Sequence, residues 1–313
     1  MADNENQSAA PFDRALLRRR RDRAVAQWPS HNFLVREAAE RLVERLDDIK
    51  RQFPMALDLG CHGGEIGAML KGRGGIETLI ETDLSPSMAA LTRRGQADGA
   101  HGLARQALAA DEEALPFANE RFDLVLSCLS LHWVNDLPGT LAQIRHCLKP
   151  DGVFLATFLG GETLNELREA WIEAETVEEG GASPRVSPFV DIRDAGALLQ
   201  RAGFALPVVD SDTLTVSYES IFNLMAELRG MGETNVLRNR RRTPTRRATA
   251  MRAAEIYGQR FKTPDGRLPA TFQILTMTAW APDPGQQQPL TPGSAKQDLA
   301  TALHTKAEKI TDD

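Results

Sequence analysis

A glycine-rich turn follows the first strongly apolar run of this sequence. Residues 55–67 read MALDLGCHGGEIG, with Asp58 inside the run and glycines at Gly60, Gly63 and Gly64. Apolar residues after the turn recur at helical spacing, which predicts a strand, a tight turn and the start of a helix. Backbone N–H groups at a helix start are free to face a nucleotide-like ligand. This stretch is therefore the first candidate for a binding site.

His62 distinguishes this turn from the dinucleotide-binding pattern. The pattern G-x-G-x-x-G fits no register, because Glu65 or Ile66 always falls on a required glycine. In the looser pattern G-x-G-x-G, His62 stands where the middle glycine is expected. Histidine tolerates a positive φ better than most residues, so we expect the turn to survive with the imidazole facing the ligand. A glycine turn that binds nothing is the alternative interpretation.

Asp83 is the second candidate, because it ends the next predicted strand, residues 76–83, and lies 23 residues beyond Gly60. In a doubly wound sheet, an acid at this strand end reaches ribose hydroxyl groups. Ser85 and Pro86 follow with the residue types that cap and open a helix. A carboxylate on the surface is the alternative, although the glycine turn and Asp83 together favour a nucleoside site.

Further polar residues follow the third and fourth predicted strands. Asp111 is expected to hold an adenine amino group, with Glu112 and Glu113 beside it on the surface. The fourth strand, residues 122–127, is followed by SCLSLHW from residue 127 to residue 133. Open α/β sheets bind ligands at the carboxyl ends of their strands, which places this segment at the site.

Composition limits the class of protein. The chain has 313 residues, a net charge of −6 and 42% hydrophobic residues, which suits a globular enzyme and argues against a nucleic-acid or anionic-membrane binder. No apolar run reaches the length of about 18 residues that a membrane-spanning helix needs. The polar, acidic start is unlike a targeting peptide. Cys61, Cys128 and Cys147 form no CxxC pair, so we expect a reducing, cytoplasmic compartment.

The order of predicted elements indicates an α/β, Rossmann-like fold with seven strands in a doubly wound sheet and a helical insert. We expect five segments, which are an N-terminal helical arm (1–30), a ligand-binding domain (31–218), a helical substrate-facing insert (219–265), the last strand (266–281) and a flexible tail (282–313).

Two arginine-rich stretches have no assigned role in this scheme. Residues 12–23 contain six arginines, and residues 238–252 contain seven arginines and no acid. Solvated helix faces are the simplest explanation for both. The first stretch is otherwise a lid over the ligand or a docking arm, and the second a grip on an acidic carrier protein or an acidic patch of a protein substrate.

The glycine turn, Asp83, DEEALPF (111–117) and FDLVLS (122–127), in this order and spacing, resemble the class I S-adenosyl-L-methionine (SAM)-dependent methyltransferases. SLHWVNDLP (130–138), LRGMGETN (228–235) and DGRLPATFQI (265–274) are similar to one subfamily, the respiratory complex I assembly factors with a methyltransferase fold. Its mitochondrial member is described as hydroxylating an arginine in the subunit that carries the terminal iron–sulfur cluster. The chain resembles the malonyl-carrier-protein O-methyltransferases of biotin synthesis more weakly.

The resemblance implies the strand order 3-2-1-4-5-7-6. It also implies SAM as the cofactor and a complex I iron–sulfur subunit as the protein substrate, with no nucleic acid and no stable membrane insertion. A conventional O-methyltransferase acting on a carrier-bound carboxylate is the alternative activity. A SAM-binding assembly chaperone without chemistry is the third. The resemblance also implies these cofactor contacts: Asp58, Gly60, His62, Gly64, Asp83 and Asp111, with Ser127 at the methionine end.

Three residues are expected to take part in catalysis. His132 and Trp133 would give a polar contact and an aromatic wall beside the substrate, with core packing as the alternative. Glu166, together with Glu162 and Glu233, would hold a substrate guanidinium by charge-assisted hydrogen bonds. No metal site is expected, because no histidine begins an H-x-D or H-x-E pair of the kind found in iron oxygenases.

Overall fold

The computed structural model describes residues 10–95 and 102–287, together with residues 294 and 301. The described residues up to Pro282 belong to one compact unit, and a second unit begins at Asp283. The start of the expected arm and most of the expected tail lie outside the described residues. The division into five segments stays a prediction.

The sheet has the predicted strand order, β3-β2-β1-β4-β5-β7-β6. Strands β1 to β5 are parallel, and β7 runs antiparallel to both β5 and β6. The α/β, Rossmann-like fold is thus confirmed. The strands are β1 (Met55–Leu59), β2 (Thr78–Asp83), β3 (Ala104–Ala109), β4 (Phe122–Cys128), β5 (Leu148–Leu159), β6 (Ala205–Tyr218) and β7 (Leu268–Trp280).

Helices cover both faces of this sheet, and short 3₁₀ turns at Arg45–Asp48, Arg73–Gly75 and Leu131–Trp133 join some elements. The α-helices are α1 (Arg14–Ala24), α2 (Trp28–His31), α3 (Phe33–Glu44), α4 (Glu65–Met69), α5 (Pro86–Gly95), α6 (Leu137–Cys147), α7 (Asn165–Glu179), α8 (Ile192–Arg201), α9 (Ile221–Gly230) and α10 (Arg247–Phe261).

The basic stretch 238–252 does not form one helix face. Helix α10 begins only at Arg247, and residues 238–246 form a loop that contains Pro244. Proline disfavours the helical conformation of the residue before it and cannot continue a preceding helix. Like charges crowded in this stretch oppose helix formation as well. The arginines are therefore divided between a loop and helix α10.

The central strands are buried on both faces, because their side chains alternate between two apolar layers. Ala56 and Leu124 face the layer that contains α3, α7 and α10, whereas Leu57, Val125 and Phe154 face the layer that contains α6 and α8. This packing fixes the carboxyl ends of β1, β2 and β4 side by side at one edge of the sheet. None of the described helices is long and apolar enough to cross a membrane.

The N-terminal arm is tied to the insert by backbone pairing. Asp13 caps α1 by accepting the N–H of Leu16 at 2.9 Å, and its own N–H donates to the carbonyl of Val236 at 2.8 Å. Leu17 of α1 is fully buried in a small apolar cluster with Trp133 and Leu237. Helix α1 is thereby held across the carboxyl edge of the sheet.

Candidate functional site

The turn after β1 has the backbone shape that its glycines permit. Gly60 (φ 81°) and Gly64 (φ 86°) are left-handed, and the N–H groups of Gly60 and Cys61 both donate to the carbonyl of Thr82 at 2.8 Å. A β-carbon at Gly60 would lie 2.2 Å from the side chain of Ser130. Glycine is therefore required at position 60 for its φ and for the close approach of the neighbouring loop.

His62 adopts the positive φ that we expected, 49°, but its ring is used for packing. The imidazole is buried, stacks on Trp28 with ring centroids 5.4 Å apart, and places Nε2 2.9 Å from the carbonyl oxygen of Cys128. Its backbone N–H donates to Asp83 at 3.2 Å. The ring thus joins the glycine turn to the end of β4.

Asp83 ends β2 beside this turn and is fully buried. Its Oδ1 accepts the N–H of Ser85 at 2.7 Å, and its Oδ2 lies 3.5 Å from the guanidinium of Arg21. Ser127, at the end of β4, donates its hydroxyl to the carbonyl of Leu59 at 2.6 Å and so links β4 to β1. Both side chains lie at the predicted edge, with intramolecular partners in place.

Arginines of α1 enter the cleft between these strand ends, whereas the sequence favoured a solvated helix face and gave a lid over the ligand only as an alternative. Arg21 is 1% exposed, with Nη1 3.4 Å from Glu112 and Nη2 3.1 Å from the hydroxyl of Ser130. Arg14 contacts Glu112 and also Asp111, the latter at 2.5 Å. The spacing of seven residues, which returns both arginines to one helix face, is the signal that could have indicated this.

Glu112 was expected on the surface, and that prediction is wrong. Its carboxylate is fully buried and accepts hydrogen bonds from Arg14, from Arg21 and from Ser130 at 2.8 Å. Burial alone would raise the pKa of Glu112, but the charges of Arg14 and Arg21 outweigh it and lower that pKa to about 2. The two guanidinium groups offset the free-energy cost of burying this charge.

Asp58 gives a test of whether the cleft fits SAM. Its carboxylate is fully buried at the end of β1, and neither oxygen has a hydrogen-bond partner among the described residues. Burial, followed by the nearby charges of Glu81 and Glu65, raises its pKa well above the usual range. An ammonium group such as that of the SAM methionine moiety would satisfy this carboxylate. The residue types at the strand ends therefore fit the cofactor.

A cavity of about 880 Å³ lies next to this cleft, between α1, α7, α9 and the insert loop, which is the loop before α10 (238–246). Glu233 is the acid among its described lining residues. The Glu233 carboxylate accepts the indole N–H of Trp133 at 2.7 Å and lies 3.2 Å from Nε2 of His132. Trp133 and Phe189 form an aromatic part of the wall. Both His132 and Trp133 follow the end of β4, but only Trp133 is among the described lining residues, and His132 is linked to the cavity through Glu233.

His132 and Glu233 influence each other's pKa. Burial lowers the pKa of His132, against the opposing charge of Glu233. The pKa of Glu233 is also lowered, because burial, which would raise it, is outweighed by the hydrogen bond with His132 and by the nearby charge of Arg21. Neutral His132 therefore donates through Nε2–H to ionised Glu233. Its Nδ1 is buried without a partner among the described residues and is left as an acceptor.

Glu166 and Glu162 do not line the cavity, which contradicts the expected arrangement. Glu166 is buried and accepts the hydroxyl of Thr271 at 2.5 Å and its N–H at 3.2 Å, so it joins α7 to β7. Glu162 is exposed. Glu162 lies in the turn before α7, which begins at Asn165, and the position of β7 decides which way Glu166 turns. Of the three expected carboxylates, Glu233 alone reaches the cavity.

The other charged residues of the cavity lining are basic, which the basic stretches only partly predicted. Two arginines come from α1, one from the loop after α7, one from α9 and three from the insert loop. They are Arg20, Arg23, Arg185, Arg229, Arg240, Arg241 and Arg242. The part of the chain that the structure describes contains no group of three His, Cys, Asp or Glu side chains arranged to hold a metal ion.

Comparisons with known proteins agree with this geometry. Residues 57–156 match the family model described as a methyltransferase domain. The chain is 43% identical to arginine-hydroxylase NDUFAF5, mitochondrial, of Danio rerio, over 92% of this chain and 88% of that protein. It is 34% identical to the malonyl-[acyl-carrier protein] O-methyltransferase of Methylovorus sp. (strain MP688), over 87% of this chain and 90% of that protein.

Solved structures show the same fold at lower sequence identity. Phosphoethanolamine N-methyltransferase 2 of Haemonchus contortus superposes with a TM-score of 0.51 and 16% identity, over 84% of this chain and 58% of that one. The identity and coverage of the arginine-hydroxylase match establish the narrower relationship. The chain belongs to the family of the NDUFAF5 arginine-hydroxylases, within the class I SAM-dependent methyltransferase superfamily of enzymes.

Proposed function

We propose that this chain is a SAM-binding enzyme that hydroxylates an arginine of a protein substrate, an iron–sulfur subunit of respiratory complex I. The observation that carries the proposal is the position of Glu233. It is the carboxylate among the described lining residues of the cavity, and it is held by Trp133 and His132 at the edge where the cofactor cleft begins. A carboxylate fixed in this way suits a guanidinium, which donates several N–H bonds in one plane.

The cofactor residues that we propose follow from the strand ends. Asp83 accepts hydrogen bonds from the ribose hydroxyls, Asp58 meets the ammonium group, and the turn at Gly60 and Gly64 provides close backbone approach. When bound, SAM supplies a sulfonium cation and an electrophilic methyl group. Because Asp83 is fully buried, the ribose hydroxyls reach it only when the arm residue over it, Arg21, moves.

Asp111 is the proposed partner of the adenine amino group. Its side chain is 40% exposed, and it accepts a hydrogen bond from Arg14 on one oxygen. We assign His62 and Ser127 to the shape of the site, because their side chains bond to the carbonyls of Cys128 and Leu59. They set the geometry of the turn and of the β4 end.

At the substrate end, the proposed roles are positioning and exclusion of water. Glu233 holds the guanidinium, Trp133 packs against the aliphatic part of the arginine side chain, and neutral His132 fixes the orientation of Glu233 through Nε2–H. Glu166 has no place in this scheme, because it is engaged with Thr271. Hydroxylation replaces a C–H bond by C–OH and needs an oxygen source and two electrons, which these side chains do not provide.

A second function has its own supporting observation. The seven arginines that line the cavity would attract the free carboxylate of a malonyl thioester, and a carrier-protein O-methyltransferase is among the relatives. Methyl transfer to a carboxylate requires mainly alignment of donor and acceptor, because the nucleophile is already anionic. Against it, Glu233 would repel a carboxylate at the inner end of the cavity.

The test is mass spectrometry of the iron–sulfur subunit, isolated from cells with and without this protein. A mass increase of one oxygen atom on an arginine supports the proposal, and its loss with Glu233→Gln assigns the residue. A mass increase of one CH₂ unit on carrier-bound malonate instead supports the second function. An unmodified subunit and an unmodified carrier would refute both and leave a SAM-binding chaperone.

We propose the cytoplasm as the compartment of this chain. The three cysteines Cys61, Cys128 and Cys147 are buried and free, which suits a reducing environment. The Danio rerio relative is named as mitochondrial. Cell fractionation of the tagged protein distinguishes the two, and recovery inside an organelle would contradict the proposal.

A further inference from the structure

The charges along the cavity are arranged in an order. Arg185 is paired with Glu175 at 2.7 Å and lies over the ring of Trp171, while Arg241 is paired with Glu179. These two guanidinium groups are neutralised by acids behind the cavity wall. They contribute shape and hydrogen bonding more than net charge.

Three other lining arginines are exposed and have no such partner. A fourth, Arg20, is only partly exposed and donates to the carbonyl of Asn235. Within residues 10–95 and 102–287, no carboxylate pairs with Arg23, Arg229 or Arg242. All three are exposed, and they come from three different elements, α1, α9 and the loop before α10. Three elements therefore direct unpaired positive charge toward one opening.

Like charges are crowded at this opening. Burial, then the neighbouring charges of Arg240 and Arg23, lower the pKa of Arg20. Such repulsion destabilises the free protein and is relieved when an anionic ligand binds. The crowded positive charge at this opening therefore favours the binding of an anion.

The inner end of the cavity has the opposite sign. Glu233 is anchored there on Trp133 and His132, which directly follow the end of β4. The negative charge of Glu233 also acts on the guanidinium of Arg21, in the cofactor cleft. The sequence of charges from solvent inward is therefore three free arginines and then one carboxylate.

We propose that this cavity binds an acidic polypeptide segment, with carboxylates on the segment meeting Arg23, Arg229 and Arg242 while an arginine of the same segment reaches Glu233. The inference rests on the proposed function for the identity of that arginine. It adds the chemistry of the flanking sequence, which determines which arginine of a protein is presented to the cofactor.

The same order of charges disfavours a carrier-bound malonyl group. Its single carboxylate is at the tip of the acyl chain and would arrive beside Glu233, past the unpaired arginines. The nearest guanidinium at that end, Arg21, is already engaged by Asp83 and Glu112. A peptide with its cation in the centre and its anions outside matches the cavity at both ends.

The test is equilibrium binding of short fluorescent peptides to the full chain. The first peptide has a central arginine with glutamates on both sides, the second has glutamines in their place, and the third keeps the glutamates but has citrulline for arginine. Malonyl-carrier protein is the competitor. We expect the first peptide to bind best and the glutamine peptide to bind roughly ten-fold more weakly, since exposed ion pairs each contribute a factor of about two to five. The citrulline peptide should also bind more weakly, because it loses the charge-assisted hydrogen bonds to Glu233.

Protein variants locate the interaction. Arg229→Gln combined with Arg242→Gln should remove the preference for glutamates over glutamines and flatten the salt dependence of binding. The matched control is Arg193→Gln with Arg201→Gln, two exposed arginines of α8 that do not line the cavity. SAM affinity, measured in parallel, should be the same in all of these proteins.

Equal binding of the glutamate and glutamine peptides to the wild type would overturn the inference. So would a preference for glutamates that survives in the Arg229/Arg242 variant, or tight binding of malonyl-carrier protein with no peptide binding. The proposed function fails separately: if the acidic peptide binds as expected but no oxygen is added to the subunit, the cavity assignment stands and the hydroxylase assignment does not.

Discussion

The buried carboxylate of Glu112 allows a quantitative test of the N-terminal arm. Arg14 and Arg21 reach it from α1, and they lower its pKa from 4.5 to about 2. A shift of this size corresponds to roughly 3 kcal/mol of folding free energy that depends on the Glu112 charge. Glu112→Gln removes that charge with little change of shape.

The sign follows from the direction of the shift. Because the folded-state pKa is lower than the unfolded-state value of 4.5, the contribution is fully present above that pH and is lost as the pH falls toward 2. We expect Glu112→Gln to be about 3 kcal/mol less stable than the wild type at pH 7 and about half that near pH 3. The difference should vanish near pH 2, where Glu112 of the wild type becomes protonated.

Urea unfolding across this pH range measures the difference directly. Hydrogen exchange of α1 (Arg14–Ala24) gives a second, local measurement, and the variant should exchange faster there because two guanidinium groups each lose one ionised partner. Glu37→Gln is the control, since Glu37 forms an exposed pair with Arg41 on one helix. A stability difference that does not change with pH, or an unchanged exchange rate in α1, would refute the reasoning.

Three further outcomes are expected. Asp83→Asn should weaken SAM binding by about 1–3 kcal/mol in calorimetry, since hydrogen bonds to ribose lose their charge; equal affinities would remove Asp83 from the site. Glu233→Gln should lower the pKa of His132 further, as seen by NMR titration of its ring, because the carboxylate opposes the effect of burial; an unchanged or raised value would contradict the coupling. Glu166→Gln should cost about 1–3 kcal/mol of stability through its bonds to Thr271, with peptide and SAM affinity unchanged; loss of peptide binding in a folded variant would return Glu166 to the cavity.

The sheet was predictable because short stretches of sequence determine its strands and the turns between them. Apolar runs of the length of strands alternate with helical patterns, and the turn residues between them separate the elements. The rule that such units form parallel sheets then leaves few arrangements, and the resemblance selected the order that the structure confirms. Positions at strand ends, such as Asp83 and His132, follow from the same reasoning.

The partners of the strand-end residues were not predictable, because they depend on long-range packing. Arg21 meets Glu112 across 91 positions of sequence, and Glu166 meets Thr271 across 105. A pattern in one helix can show which residues share a face, but not what that face contacts. Glu112 looked like one of three surface acids for this reason, and the arginines that bury it looked like a solvated basic helix.

Helix α1 presents arginines both to the cofactor cleft and to the cavity beside it, which explains why the arm is basic. Arg14 and Arg21 share one face and contact the carboxylates of the cofactor cleft, whereas Arg20 and Arg23 line the cavity. All four belong to one short helix whose Leu17 is anchored beside Trp133. A movement of the whole helix that freed Asp83 for a ribose would also displace arginines of the cavity wall, whereas a rotation of the Arg21 side chain alone would not. In the first case the cleft and the cavity are coupled through α1, and by reciprocity each ligand then influences the affinity of the other.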